Sequence, residues 1–264
     1  MTMLHNAKAV QVWLDQLGID NVVVISPHLD DAVYSVAGFL SAARDRTEVI
    51  TLFTEALPGQ SEDWAHQAGF PDSRSEHLAR RQEDVVAMNQ LGCRFQHLGF
   101  RSGEATGDSV SQIVKVLEHA QPNGLYHTLM LLPAGAGGPS PRSQLWRLAL
   151  RCIRRPSGVI PHSEHVQTRD LFWHVLASRR AHIGFYAELP YAWAHSDKQL
   201  QQHLLSSLGC RTKRMEHRPN LEDKIELVEL YRSQLVPIFG QKPGYRRRVL
   251  TRNECIFVVE SLTL

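Results

Sequence analysis

The chain has 264 residues, 43% hydrophobic and 21% charged, the composition of an ordinary soluble globular protein. That length suits one large α/β domain or at most two small ones. A formal net charge of +2 gives no global attraction to nucleic acid or to an anionic membrane. Residues 1–18 mix His5, Lys8 and Asp15 among apolar residues, unlike a signal peptide. No apolar run approaches the roughly 18 residues that a membrane span needs. The four cysteines (Cys93, Cys152, Cys210, Cys255) are far apart and form no C-x-x-C pair. Scattered free thiols belong to a reducing compartment, so a cytoplasmic location is expected.

In chain order, Ala7, Val10, Trp13, Leu14 and Leu17 fall at helical spacing, with Gly18 as a stop. Val22 to Ile25 is an unbroken aliphatic run, the pattern of a parallel strand covered on both faces, and Pro27 should end it. His28, Asp30 and Asp31 follow at once, at the carboxyl end of a strand, where open α/β sheets place their sites. A neutral imidazole and a carboxylate there suit zinc or a similar divalent ion. The neighbouring carboxylate is left to act as a base, although a helix-capping Asp explains one acid equally well. A helix to about residue 44, a strand over 48–54 and a long connection over 55–72 come next. A helix over 75–91, closed by Gly92, carries Arg80, Glu83, Ala87 and Leu91 on one face. As an i,i+3 pair, Arg80 and Glu83 also read as a solvated ion pair.

A short helix over 110–117 and a strand over 125–132 lead to the turn Pro133-Ala134-Gly135-Ala136-Gly137-Gly138. Neither G-x-G-x-x-G nor a P-loop is present there, which weakens a nucleotide-binding reading. Residues 139–161 place Arg142, Arg147, Arg151, Arg154 and Arg155 around an apolar helical core, bracketed by prolines. A surface helix with a basic side accounts for this pattern, and so does a flap for an anionic substrate or carrier. His162-Ser163-Glu164-His165 follows, and i,i+3 spacing puts both imidazoles on one side. Residues 183–191 (IGFYAELPY), a helix over 223–235 and a strand over 255–260 complete the chain.

Ser26-Pro27-His28-Leu29-Asp30-Asp31-Ala32 after a strand resembles the signature of the LmbE-like, or PIG-L, family of zinc-dependent N-acetylglucosaminyl deacetylases. Arg80-x-x-Glu83, His162-x-x-His165 and Tyr186-Ala187-Glu188-Leu189-Pro190-Tyr191 match further family motifs in order, so that the resemblance spans residues 20–191. It departs in the 139–161 insert, in Glu164 for the usual Asp, in Ser102 where a sugar-contacting Asp is expected, and in Ala187 at an acidic position.

The resemblance implies a three-layer, Rossmann-like α/β fold with a mostly parallel central sheet, the whole of 1–264 forming one domain. It implies His28, Asp31 and His165 as ligands of Zn2+, with another divalent metal such as Fe2+ as the substitute. Asp30 becomes the general base, His162 an imidazolium that stabilises the oxyanion or protonates the amine, and Arg80, rather than Arg81, the substrate contact. The implied substrate is a small N-acetylated molecule, anionic or carrier-linked if the basic insert faces it, with no nucleic acid partner. The departures leave a second class open, a non-catalytic sugar- or metabolite-binding member of the same fold.

Overall fold

The computed structural model describes residues 2–56, 59, 62–120, 124–137, 159–179, 181–240 and 243–260. Strands are β1 (Thr2–Leu4), β2 (Asn21–Ser26), β3 (Thr47–Phe53), β4 (Arg94–Phe100), β5 (Thr128–Pro133), β6 (His182–Tyr186), β7 (Thr212–His217) and β8 (Glu254–Val259). They form one sheet in the order β1-β7-β8-β6-β5-β2-β3-β4. Every neighbouring pair is parallel except those of β8, which runs antiparallel to both β6 and β7. The protein is thus mixed α/β with a mostly parallel sheet, as expected.

Helices are α1 (Ala7–Gln16), α2 (Asp31–Ala42), α3 (Glu62–Ala68), α4 (Ser73–Leu91), α5 (Gly107–Ala120), α6 (Ser163–Leu176), α7 (Asp197–Leu208), α8 (Leu221–Glu229), α9 (Arg232–Phe239) and α10 (Pro243–Leu250). Two hydrophobic clusters separate them into layers. Val22 and Val24 of β2 pack into the cluster containing Val10, Val33, Phe39, Met88, Val228 and Phe239. Val23 and Ile25 point the other way, among Val110, Val114, Phe172, Leu176, Leu200 and Leu204. Both faces of β2 are covered, which is why its sequence shows no polar alternation. Each such aliphatic side chain removed from water contributes about 1.5–3 kcal/mol.

Local signals hold where side chains close them. Asp72 accepts from the Ser75 amide at 2.7 Å to start α4, and Gly92, with φ +73°, ends it in the left-handed conformation. Three readings need correction. The connection over 55–72 contains α3. The helix expected over 223–235 is two helices broken at Tyr231, whose hydroxyl donates to Asp84 at 2.6 Å. The strand that the family motif over 183–191 implies ends at Tyr186. The arginines of the insert lie outside the described residues, but its returning end does not. Gly137 donates to Ile160 O at 2.6 Å and Ala136 bridges Pro161, so the chain re-enters beside the turn that it left.

Candidate metal centre

The site is assembled at the carboxyl ends of β2 and β5. Pro27 ends β2, and Ser26 folds the turn that follows. Its hydroxyl donates to His28 O at 2.7 Å and accepts from the Ala32 amide at 3.3 Å. The Phe53 amide donates to Pro27 O at 2.9 Å, fastening the turn to β3. At the end of β5, the His162 amide donates to Gly135 O at 3.3 Å. A Cβ on Gly137 would lie 2.6 Å from the His162 nitrogen, so only glycine lets the returning strand approach so closely. His162 thereby caps α6, and the first turn of α6 carries Glu164 and His165 into the same space.

The three residues expected to share a metal meet. Asp31 Oδ2 lies 3.0 Å from His28 Nδ1 and 3.3 Å from His165 Nε2, and it also accepts from the His28 amide at 3.0 Å. One donor atom from each of the three lies within 4.8 Å of the others. Each imidazole turns its second nitrogen to a glutamate: His28 Nε2 is 2.8 Å from Glu164 Oε2, and His165 Nδ1 is 3.4 Å from Glu188 Oε1.

Electrostatics favour a positive charge among these groups. Burial opposes a charged His28, but Asp31 and Glu164 outweigh it and raise the ring to about 9. Burial likewise opposes a charged His165, which Asp31 and Glu188 raise to about 10. The Asp31 carboxylate, despite burial, is held well below its usual range by His165 and His28. Protons supply that charge in the protein alone, and a divalent ion would replace them. Apart from that 3.3 Å ionic contact with Asp31, His165 Nε2 is buried and has no hydrogen-bond partner among the described residues, as suits a ligand atom. Two imidazoles and a carboxylate that leave further positions open fit a catalytic divalent site.

Asp30 and Asp31 are adjacent but differently engaged. Asp30 Oδ1 lies 3.5 Å from Arg80 Nη2, while its Oδ2 has no hydrogen-bond partner among the described residues. Burial raises its carboxyl, Arg80 pulls it back, and the balance lies at about 6. His162 differs from the imidazolium read from sequence. Burial and the nearby positive charge of His165 and His28 push its ring down to about 4, so it is neutral at pH 7. Its ring centroid is 4.2 Å from that of His165.

His28, Asp30, Asp31, His162 and Glu164 line a cleft of about 380 Å³, with His165 buried behind them. Arg80 is at its wall, whereas Arg81 pairs with Glu55 at the rim. Arg80 does not pair with Glu83. It reaches Glu76 at 3.6 Å, and Glu83 instead accepts from the Ser233 hydroxyl at 2.6 Å. Ser102 also lines the cleft and hydrogen-bonds Glu164. Sequence reasoning missed Tyr34, Trp64, Glu76 and Gln234, which close one side. Gln234 ties Trp64 to Glu76, accepting from Trp64 Nε1 at 3.1 Å and donating to Glu76 at 2.6 Å. No local motif marks these residues, because α2, α3, α4 and α9 converge only in three dimensions.

A family model described as GlcNAc-PI de-N-acetylase, PIG-L, matches residues 23–138. No curated protein matches the chain. Among solved structures, a triple mutant of a deacetylase of the teicoplanin biosynthetic pathway is similar, with TM-score 0.65 and 21% identity, covering 92% of this chain and 100% of that one. The zinc-inhibited form of teicoplanin deacetylase has TM-score 0.64 and 18% identity, over 92% and 100% of the two chains. A pseudoaglycone deacetylase of the antimicrobial A40926 has TM-score 0.62 and 22% identity, over 93% and 99%. At such identities the likeness is one of fold.

Proposed function

We propose, from the PIG-L family model that matches residues 23–138, that the chain is an LmbE-like, metal-dependent N-deacetylase. It hydrolyses the acetamide of an N-acetylated amino sugar or a related natural-product intermediate. The observation that carries this reading is the His28, Asp31 and His165 cluster, suited to a cation, two of whose members line a cleft with Asp30 and His162. His28, Asp31 and His165 are the proposed ligands, of zinc or alternatively ferrous iron. Such an ion would polarise the amide carbonyl and bring the pKa of a water toward about 7.

The chain's own groups do the rest. Asp30, through its unpartnered Oδ2, takes the proton of the attacking water. Arg80 keeps that carboxylate in place and presents its remaining donors to the cleft. His162, neutral at rest, offers its single N–H to the developing oxyanion, and Asp30 hands the proton it took from the water to the departing nitrogen. Water is thereby added across the C–N bond, and acetate and a free amine leave. Trp64, Tyr34 and Tyr191 give the cleft ring faces, and Glu55, Glu76 and Gln234 give it polar ends, a combination that suits a sugar. Cys93, Cys210 and Cys255 are buried and unpaired, which agrees with action in the cytoplasm.

The deciding experiment is metal analysis beside an acetate-release assay on N-acetylglucosamine derivatives. Wild-type protein should hold about one zinc or iron per chain, and His165→Ala should hold less than about a tenth of that, with no acetate released. Metal-free wild-type protein that still released acetate would sink the proposal. The pH dependence gives a second check. Asp30 works only as the carboxylate, so turnover should rise with pH through a limb centred near 6. A limb near pH 4, the ordinary aspartate value, would assign the base elsewhere.

A further inference from the structure

We infer that Glu188 is a positioning residue for the metal centre, fixing the orientation of His165 by holding its imidazole and the Gly135 turn with one carboxylate. The inference rests on the metal-dependent reading above. Glu188 stands just past the end of β6 and is fully buried. Its Oε1 accepts from the amides of Gly135 at 2.5 Å and Ala136 at 3.1 Å, and faces His165 Nδ1 at 3.4 Å. Two of these three donors are main chain, so the oxygen is fixed to the end of β5 and the imidazole is aligned on a rigid reference.

The turn is built for this grip. Gly135 has φ +86°, and a Cβ there would lie 2.8 Å from the Arg169 guanidinium and 3.0 Å from Val166 Cγ2. The absence of a side chain allows α6 to close on the turn. Arg169, one helical turn beyond His165, is itself buried and donates to Ala134 O at 2.9 Å. The turn is thus held from one side by Arg169 and from the other by Glu188, and His165 lies between the two holds.

With Nδ1–H directed at Glu188, the Nε2 lone pair must face Asp31, which is the orientation a metal ligand needs. No other hydrogen-bond acceptor for Nδ1 is found among the described residues. Without the carboxylate, ring flip and tautomer exchange would compete with binding. His28 is backed differently. Its glutamate, Glu164, is 23% exposed at the cleft and open to solvent, while Glu188 is closed to it. Of the two supports, Glu188 is therefore the stiffer.

The test uses the full chain and metal ions alone, with Glu188→Gln as the variant. Glutamine keeps the volume, and its carbonyl still accepts the two amides, so the variant should fold, with the metal-free protein somewhat less heat-stable because His165 loses one of its two charge partners. Zn2+ affinity, measured by chelator competition, should fall about 10- to 100-fold, the usual cost of losing an outer carboxylate. The visible bands of bound Co2+ should also shift, because a neutral amide oxygen facing Nδ1 backs the ring less strongly than the carboxylate does. A folded variant with wild-type Zn2+ affinity and an unchanged Co2+ spectrum would overturn the inference. Should Glu188→Gln not fold, Glu188→Asp decides. Drawing the carboxylate back by one methylene must weaken Zn2+ measurably, and unchanged affinity would overturn the inference. Wild-type protein that takes up neither ion would bring down the proposed function as well, whereas tight wild-type binding with an indifferent Glu188 refutes this inference alone.

Discussion

Asp30→Asn is expected to lower turnover about a thousandfold while leaving the metal content of the protein unchanged. The reasoning turns on how two adjacent carboxylates are used. Asp31 is committed to the His28 amide, the His28 ring and the His165 ring, all through one oxygen. Asp30 meets none of them. One of its oxygens faces Arg80 and the other is buried without a hydrogen-bond partner among the described residues. Asparagine in its place preserves the shape but cannot accept a proton at neutral pH. Asp31→Asn should act in the opposite way, emptying the site, because it removes charge from the atom on which both imidazoles converge. Metal analysis and steady-state rates on the two variants separate the roles. Metal loss from Asp30→Asn with retention in Asp31→Asn would reverse the assignment.

The part of this site that can be read from the chain alone is the part built by neighbours in sequence. Val22 to Asp31 contains a strand, its terminator and two of the proposed ligands, so composition and order suffice there. His165 was legible only through its local pattern, since what brings it to Asp31 is the β2–β5 pairing and the return of the chain at Pro161. Glu188 could be seen but not interpreted. A glutamate beyond a strand has no distinguishing mark until the amides of Gly135 and Ala136 are found on it. The same applies to Arg80 and Glu83, whose i,i+3 spacing predicts a pair that tertiary partners dissolve. Asp30 and Glu76 take the first, and Ser233 the second. Strand β7 was missed for a different reason. Thr212 to His217 carries Lys213, Arg214 and Glu216, and its polarity comes from pairing between ladders with ion pairs along it, such as Arg214 with Asp197 at 2.6 Å. A period-2 hydrophobic signal never appears. Helix α2 contains the last such case, and it bears on stability.

Lys224→Met is expected to destabilise the metal-free protein by about 3–5 kcal/mol, the cost of leaving one member of a buried ion pair alone. Helix α2 is not regular. Val36, at φ −137° and ψ 25°, interrupts it, and the amides of Gly38 and Phe39 just beyond the break turn to a side chain for an acceptor. Glu254 of β8 supplies one, taking Gly38 N–H at 2.9 Å and Phe39 N–H at 2.8 Å with its two oxygens. Lys224 of α8 then offsets the charge of Glu254 at 2.8 Å and also donates to Ser35 O at 3.4 Å, beside the break. Lysine and glutamate are both fully enclosed. Methionine matches the length of lysine but leaves the Glu254 carboxylate with only two amides in a dry environment. Replacing both residues, Lys224→Met with Glu254→Gln, should recover part of the loss, because no uncompensated charge remains and the glutamine oxygen still accepts one amide. Urea unfolding of the three proteins measures this directly, and a single-variant loss below about 1 kcal/mol would mean that water reaches the pair. The consequence extends to the proposed chemistry. The same interrupted helix begins at Asp31, and its Ser35 hydroxyl accepts the Leu189 amide at 3.1 Å at the far wall of the cleft. A break stabilised from β8 therefore sets where the two aspartates stand relative to that wall, so Lys224→Met should also lower turnover in protein that remains folded.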